Sequence, residues 1–136
     1  MRSEWDDLGI PNEDAYHPVE TADFGGRGRT DQQLYLRIPK RGTAFPAVVW
    51  FHGGGLTGGG REVPDALFDG RMAVIEARYR LSPEFPAPAA LADAVAATAW
   101  TLKRAEARGI DPERVFVGGM SAGAWLAAMT GMDRSY

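Results

Sequence analysis

A serine between glycines is the feature of this sequence that could most directly carry out chemistry. It stands in the run Gly119-Met120-Ser121-Ala122-Gly123, after the apolar residues 115–117 and before the small and apolar residues 124–128. A strand that turns into a helix within a G-x-S-x-G pattern holds its serine in a strained conformation, with the hydroxyl exposed. The free N–H groups at the start of the helix favour negative charge at the same place. The pattern predicts that Ser121 is a nucleophile, although a plain Gly-Ser turn that closes a strand–helix unit would look the same.

A second glycine-rich segment, His52-Gly53-Gly54-Gly55, directly follows the apolar run 47–51. Consecutive glycines let backbone N–H groups face a ligand at close range, because no Cβ atoms stand in the way. Together with the N–H of Ala122, these groups could form an oxyanion hole for the tetrahedral intermediate of acyl transfer. Removing one such donor typically costs about 3 to 4 kcal/mol in the transition state, so the device would matter to catalysis.

The same glycines also fit a dinucleotide-binding pattern. Residues 53–58 match G-x-G-x-x-G, and Glu76 lies near the end of the next predicted strand. Such a site needs a helix that begins inside the glycines, because the helix N-terminus binds the pyrophosphate. Gly59, Gly60 and Pro64 disfavour a helix at that point. We therefore predict no dinucleotide site, and the sequence indicates no other cofactor and no metal.

Three segments, in their order and spacing, resemble the carboxylesterase and hormone-sensitive-lipase-like group of the α/β-hydrolases. They are His52-Gly53-Gly54-Gly55, the loop Tyr79-Arg80-Leu81-Ser82-Pro83-Glu84 with Pro86-Ala87 after it, and Gly119-Met120-Ser121-Ala122-Gly123. The resemblance covers about residue 20 to the end and implies a serine hydrolase that acts on carboxylic ester bonds through an acyl-enzyme. It also implies particular roles: nucleophile for Ser121, oxyanion donors for the N–H groups of Gly54, Gly55 and Ala122, and scaffold for His52. Met120 departs from the family pattern, because the lipase-like branch usually has Asp there.

The resemblance leaves the rest of the catalytic triad unassigned. In this family an Asp or Glu and then a His follow the serine along the chain. The 15 residues after Ser121 include Asp133 but no histidine, and both His17 and His52 precede the serine. The sequence therefore resembles the N-terminal portion of a longer hydrolase, and we expect it to be inactive alone. The alternative is a catalytically silent α/β module that binds a small molecule or a protein partner.

Composition limits the classes of binding partner and the cellular compartment that we expect for this chain. The 136 residues include 15 basic and 18 acidic side chains without blocks of one charge, which gives a net charge of −3. This distribution predicts no nucleic-acid partner and no membrane-binding patch. The chain has no cysteine, hence no disulfide, and its first residues lack the apolar segment of a secretion signal. We predict a cytoplasmic protein whose partner is a small-molecule ester.

The elements that must position these segments follow from hydrophobic patterns. We expect an N-terminal arm at 1–20 and, at 21–136, the N-terminal part of an α/β-hydrolase domain. The arm carries His17, which we interpret as a surface residue. Within the domain the patterns predict a hairpin at 21–38, strands at 47–51 and 72–77, a short helix at 63–68, a proline-rich loop, an amphipathic helix at 89–108, a turn at Asp111-Pro112, and the strand and helix around Ser121.

The predicted fold class is α/β: a truncated α/β-hydrolase fold. It has a mostly parallel sheet of about five strands, an antiparallel N-terminal hairpin and helices on both faces. The strand at 47–51 should lie in the middle of the sheet, because it is apolar throughout. The strand before Ser121 should lie at one edge if the strand order follows the family. Unpaired backbone groups on that edge predict a poorly stable chain that self-associates through residues 114–118.

Overall fold

The computed structural model describes residues 9–60 and 62–132, so residues 1–8 of the predicted arm and Asp133 lie outside the described part. The described residues form five strands and two α-helices. The strands are β1 (Glu20–Asp23), β2 (Gln33–Arg37), β3 (Phe45–Phe51), β4 (Ala73–Ala77) and β5 (Ile110–Gly119), and the helices are α1 (Ala87–Arg104) and α2 (Ala122–Met132). Short 3-10 turns occur at Glu13–Ala15, Thr30–Gln32, Asp65–Leu67 and Glu106–Arg108.

The strands form one sheet in the order β1-β2-β4-β3-β5. β1 and β2 form the predicted antiparallel hairpin, with Glu20 opposite Leu36. β2 also pairs antiparallel with β4, whereas β3 pairs parallel with β4 and β5. The predicted α/β class is confirmed, and β3 lies inside the sheet as expected. The sheet is evenly mixed rather than mostly parallel, because the hairpin joins the parallel strands in the antiparallel sense.

Both α-helices cover one face of the sheet. Their buried side chains share a core cluster with inward side chains of β2, β3 and β4; the cluster includes Ala90, Ala94, Ala97, Leu126, Leu36, Val49 and Ile75. Small alanine side chains on α1 let the helix lie close to the sheet. This face holds the main core of the described residues, and it supports the carboxyl ends of β3 and β5.

The opposite face carries a smaller cluster of Tyr16, Val48, Phe68 and Val74. The helix predicted over 63–68 forms only the 3-10 turn Asp65–Leu67, because few residues separate Pro64 from the chain reversal at Gly70. Among the described residues this face therefore carries no α-helix, unlike the predicted arrangement with helices on both faces.

The amphipathic helix predicted over 89–108 is α1 followed by a 3-10 turn. α1 begins at Ala87, because Pro88 is tolerated in the first turn, where its missing N–H would have no acceptor. After Arg104 the turn Glu106–Arg108 leads to Gly109, whose φ of 74° is the left-handed conformation that glycine adopts without strain. Neither α1 nor α2 is long and apolar enough to cross a lipid bilayer.

β5 is the edge strand of the described sheet and begins earlier than predicted. Ile110 lies opposite Phe45, and regular pairing resumes with Val115 opposite Ala47. The chain thus advances from 110 to 115 on β5 while it advances only from 45 to 47 on β3. Asp111-Pro112 lies in this irregular stretch rather than in a turn before the strand. Proline fits there, because bulges and edge strands are where a missing N–H is tolerated.

Candidate active site

The turn between β5 and α2 carries Ser121. Its φ is 54°, in the left-handed region that residues with a Cβ atom rarely adopt, and the residue is exposed. This is the strained backbone conformation that the sequence pattern predicts for residue 121. The conformation indicates a functional site, because such strain persists only where the surrounding structure enforces it and is concentrated at active sites.

Close contacts require glycine on both sides of Ser121. A Cβ atom at Gly123 would lie 1.8 Å from the carbonyl oxygen of Phe51, at the end of β3. A Cβ atom at Gly119 would lie 2.3 Å from the carbonyl carbon of Gly123. Both distances are far shorter than any tolerated contact, so a side chain at either position would push α2 away from the sheet.

Ala122 is the first residue of α2. Its N–H therefore has no acceptor within the helix, as is true of the first four N–H groups of any α-helix. The N–H of Gly123 donates to the carbonyl of Met120 at 2.9 Å, and the N–H of Met120 donates to that of Phe51 at 3.4 Å. These bonds fix the turn and leave the Ala122 N–H as a backbone donor next to Ser121.

The glycine loop after β3 turns sharply. Gly54 and Gly55 have φ values of 124° and 65°. The carbonyl of Gly54 accepts the N–H groups of Thr57 at 3.1 Å and Gly58 at 3.2 Å. A Cβ atom at Gly54 would lie 2.3 Å from the carbonyl oxygen of Gly58, so only glycine fits. Residues 53–60 contain no α-helix, which is the element that a dinucleotide site would need.

The glycine loop and the serine turn lie against each other. Gly53 is buried at their junction, where a Cβ atom would lie 2.9 Å from the carbonyl oxygen of Met120 and 3.4 Å from the Cβ of Ser121. The parallel pairing of β3 with β5 causes this proximity, since Phe51 lies opposite Gly119 and both loops start at the same edge of the sheet. The segment that carries Gly54 and Gly55 is thus placed beside Ser121.

His52 braces the glycine loop. Its ring is buried, and Nδ1 lies 2.7 Å from the carbonyl oxygen of Gly53, which can only accept a hydrogen bond, so Nδ1 donates. The ring stacks on Tyr79 with 4.4 Å between centroids and 11° between planes. The Tyr79 hydroxyl donates to the carbonyl of His52 at 2.6 Å. Burial raises the pKa of Tyr79, and the nearby Glu62 carboxylate adds to this, so the hydroxyl remains a donor.

We assign neither histidine as the base for Ser121. His17 is exposed on the arm, as expected, and its backbone N–H donates to the carbonyl of Ile38 at 2.9 Å. His52 is engaged with its own loop. The described residues therefore join a candidate nucleophile to backbone donors without an assigned base. The same part of the chain has no group of three or more His, Cys, Asp or Glu side chains that could hold a metal ion.

The loop after β4 supports the site through contacts that sequence reasoning missed. Asp93 on α1 is 2% exposed and accepts hydrogen bonds from Arg80 Nε at 2.9 Å, Arg80 Nη2 at 2.8 Å and Gln32 Nε2 at 2.9 Å. The bond to Asp93 raises the pKa of Arg80. The N–H of Ser82 donates to the carbonyl of Leu56 at 2.7 Å, which ties this loop to the glycine loop. No local pattern in the sequence signals such pairs.

Known proteins match the chain across this site. Residues 48–134 match the family model of the α/β hydrolase fold. The chain is 45% identical over 97 residues to the carboxylic ester hydrolase LipN of Mycobacterium tuberculosis, covering 67% of this chain and 26% of that protein. It is 38% identical over 119 residues to carboxylesterase NlhH of the same organism, covering 82% of this chain and 37% of that protein.

A solved structure agrees with these relatives. The thermophilic carboxylesterase EstE1, cloned from a metagenomic library, superposes with a TM-score of 0.64 at 38% identity, covering 72% of this chain and 35% of that chain. This chain thus spans only 26% and 37% of the length of the two curated relatives. The residues that form the candidate site, from His52 to Gly123, all fall within the matched range 48–134.

Proposed function

The chain belongs to the α/β hydrolase fold family, and from that premise we propose that it carries the nucleophile and oxyanion hole of a serine hydrolase acting on carboxylic esters. The observation that carries this proposal is the φ of 54° at Ser121, enforced by glycines that pack the turn against β3. A strained non-glycine residue costs on the order of 1 to 3 kcal/mol and is concentrated at functional sites. Relatives named carboxylic ester hydrolase and carboxylesterase support an ester as the substrate class.

In the proposed reaction the Oγ of Ser121 bonds to the carbonyl carbon of the ester as its O–H bond breaks and the proton passes to a base or to water, which later supplies a proton to the leaving oxygen. The carbonyl π electrons move to oxygen, and the N–H groups of Gly54, Gly55 and Ala122 stabilise the resulting oxyanion. Collapse of this intermediate breaks the bond to the leaving oxygen, which departs as the alcohol after gaining a proton, and leaves Ser121 acylated. Attack by water then releases the carboxylic acid and regenerates the hydroxyl.

The proposal includes low activity for the 136-residue chain by itself. A serine hydroxyl at its ordinary pKa is a weak nucleophile and needs an adjacent base. His52 Nδ1 donates to the carbonyl of Gly53 and His17 lies exposed on the arm, so we assign neither of them as the base. An oxyanion hole without the rest of a triad retains a rate acceleration of only about 10³ to 10⁴ over the reaction in water, which is a small part of what a complete triad provides. We therefore expect negligible hydrolysis of short acyl esters such as p-nitrophenyl acetate.

We also propose that the chain self-associates through the outer edge of β5. No described strand pairs with that edge, and Phe116 on β5 is 54% exposed. A sheet edge with unpaired N–H and C=O groups is a template for pairing with another chain. A small-molecule ester and a second copy of the chain are therefore the proposed partners.

A covalent probe with an added base tests the serine site. A fluorophosphonate bonds to an activated serine oxygen and loses fluoride, and imidazole in the buffer supplies the general base. We expect peptide mapping by mass spectrometry to find the adduct on Ser121 with imidazole, much less without it, and none in Ser121→Ala. Ser82, which donates its hydroxyl to the carbonyl of Phe85, is an internal control that should remain unmodified.

Two outcomes would count against the proposal. An absence of labelling at Ser121 with imidazole, under conditions that label an ordinary serine hydrolase, would favour the catalytically silent module. Rapid Ser121-dependent turnover of p-nitrophenyl acetate without imidazole would refute the expected inactivity, because it would require a base within the 136 residues.

A further inference from the structure

Glu62 reaches back along the chain to the buried end of the glycine loop. Its Oε1 accepts a hydrogen bond from the backbone N–H of Gly53, nine residues earlier. Gly53 is the residue that packs against the serine turn, and the position of a Cβ atom on it would lie 3.0 Å from Glu62 Oε1 and 3.4 Å from the Cβ of Ser121. The carboxylate thus binds the loop at its junction with the candidate nucleophile.

The bond is notable because Glu62 itself is exposed. Holding a long exposed side chain in one conformation costs up to about 2 kcal/mol of rotamer freedom. A hydrogen bond from a backbone N–H to a charged carboxylate is roughly twice as strong as one between neutral groups, and can offset this cost. Glu62 also lies near Tyr79, because its charge helps to raise the pKa of Tyr79. Tyr79 is the residue that stacks on His52 and donates to its carbonyl.

Regular strand pairing ends before Gly53. β3 ends at Phe51 and β5 ends at Gly119, and the bond just past these ends, from the N–H of Met120 to the carbonyl of Phe51, is 3.4 Å long. Beyond it, the peptide between His52 and Gly53 is held at its carbonyl by the Tyr79 hydroxyl and at its N–H by Glu62. The next peptide is held by His52 Nδ1 at the carbonyl of Gly53. In a trans peptide the C=O and N–H point in opposite directions, so the N–H of Gly54 points away from His52.

We propose that Glu62 is a positioning residue of the oxyanion hole, an inference that rests on the proposed function. By accepting the N–H of Gly53 it fixes the first peptide of the glycine loop, together with Tyr79, which binds the carbonyl of the same peptide. It thereby sets the direction of the two donors that follow, Gly54 and Gly55. Glu62 acts through the loop and does not touch the substrate.

Two variants separate the hydrogen bond from the charge. Glu62→Ala removes the acceptor, whereas Glu62→Gln keeps an acceptor oxygen and removes the charge. Glu106→Ala is a control, because Glu106 is also an exposed glutamate but lies in the 3-10 turn after α1. All are made in the full 136-residue chain labelled with ¹⁵N-glycine, at a concentration where sedimentation finds one species.

The first readout is amide hydrogen exchange and chemical shift at the loop glycines. We expect Glu62→Ala to speed exchange at Gly53 by roughly tenfold and to shift the amide signals of Gly54 and Gly55, consistent with loss of one hydrogen bond to a charged group. Glu62→Gln should stay within about threefold of the parent chain, and Glu106→Ala should match it. Exchange at Gly118 in β5 should not change, which excludes general loosening of the fold.

The second readout is the affinity for a small alkylboronic acid. The Ser121 oxygen bonds to boron and releases its proton to the buffer, which yields a tetrahedral anion that mimics the intermediate. We expect Glu62→Ala to weaken binding by roughly tenfold, which is less than the loss of a whole oxyanion donor because the N–H groups remain but are misdirected. Glu62→Gln should weaken binding by less than about threefold.

The outcomes distinguish the two proposals. Unchanged loop signals in Glu62→Ala, or altered signals with unchanged boronic acid affinity, would refute the positioning role of Glu62. Equal boronic acid affinity in the parent chain and Ser121→Ala would instead refute the nucleophile. In that case the amide signals of Gly54 and Gly55 in Glu62→Ala alone test the role of Glu62: a shift supports it and unchanged signals refute it.

Discussion

At the scale of single residues, the candidate site is held by groups that accept or donate to backbone. Tyr79 is an example: its hydroxyl is bound to the carbonyl of His52, and its ring supports the His52 ring. Stacked rings of this kind contribute about 0.5 to 1.5 kcal/mol beyond their buried area. The stability of the glycine loop therefore depends on a buried phenol that remains protonated.

Tyr79 predicts a loss of stability at alkaline pH. Its pKa is raised in the folded chain, chiefly by burial, whereas an unfolded tyrosine has a pKa of about 10. The folded state thus holds the proton more tightly, so this contribution is complete below about pH 10 and is lost as the pH rises further. We expect the free energy of unfolding, from urea titrations, to fall between neutral pH and about pH 11.

Tyr79→Phe should reduce that fall, at the cost of about 1 kcal/mol at neutral pH for the lost hydrogen bond. Part of the fall should remain, because burial also raises the pKa of Tyr16. Tyr16→Phe should therefore remove another part. If Tyr79→Phe has the same alkaline dependence as the parent chain, the phenol is not the group responsible.

At the scale of elements, local patterns were sufficient where a segment's neighbours are close in sequence. The hairpin, β3, β4, α1 and the turn at Ser121 were predicted from apolar periodicity, prolines and glycines. The predicted turn at Asp111-Pro112 was wrong, because Ile110 is recruited into the strand by Phe45, a partner far away in the chain. The helix at 63–68 became a 3-10 turn for lack of room between a proline and a glycine.

The candidate site likewise contains residues that local sequence patterns predict and contacts that they do not predict. Ser121, Gly54, Gly55 and Ala122 stand in glycine patterns whose steric meaning can be recognised from the sequence. The contacts of Glu62 with Gly53 and of Asp93 with Gln32 cannot be recognised in this way, because a lone carboxylate has many possible partners. Only the folded chain selects one of them.

The junction of β3 and α2 predicts an asymmetry between two glycines of one helix. Gly123→Ala would place a Cβ 1.8 Å from the carbonyl oxygen of Phe51, so α2 must shift. Overpacking of this kind typically costs about 1 to 3 kcal/mol. Gly131→Ala is the matched control, because its Cβ would lie 3.5 Å from Val117 Cγ2, an ordinary contact.

Urea unfolding measures both variants. Gly131→Ala should leave stability unchanged or raise it by about 0.5 to 1 kcal/mol, since alanine is the better helix former. Gly123→Ala should be the less stable of the two and should lose fluorophosphonate labelling at Ser121. Equal stability of the two variants would contradict the tight packing of this turn.

At the scale of the whole molecule, the two faces of the sheet are unequally covered. The helices bury one face, while the opposite face carries only 3-10 turns and part of the arm in the described residues. Phe116 lies opposite Val48 and shares its face, which is the side away from the helices. The helical layer is also incompletely covered, because Trp125 on α2 is 45% exposed. Large apolar side chains thus lie on both sides of the edge strand β5.

These surfaces predict how the isolated chain self-associates. Two β5 strands paired antiparallel about Phe116 would place Arg114 of one copy opposite Gly118 of the other, so like charges would not face each other there. We expect the chain to melt with low cooperativity and to form dimers as its concentration rises in sedimentation experiments. Phe116→Lys should keep it monomeric, because a charged side chain on an edge strand opposes pairing.

Leu102→Lys is the control, since Leu102 on α1 is similarly exposed at 44% but lies outside β5, and this variant should still dimerise. A parent chain that stays monomeric with a cooperative melt, or equal inhibition by both lysines, would show that β5 is not the associating edge.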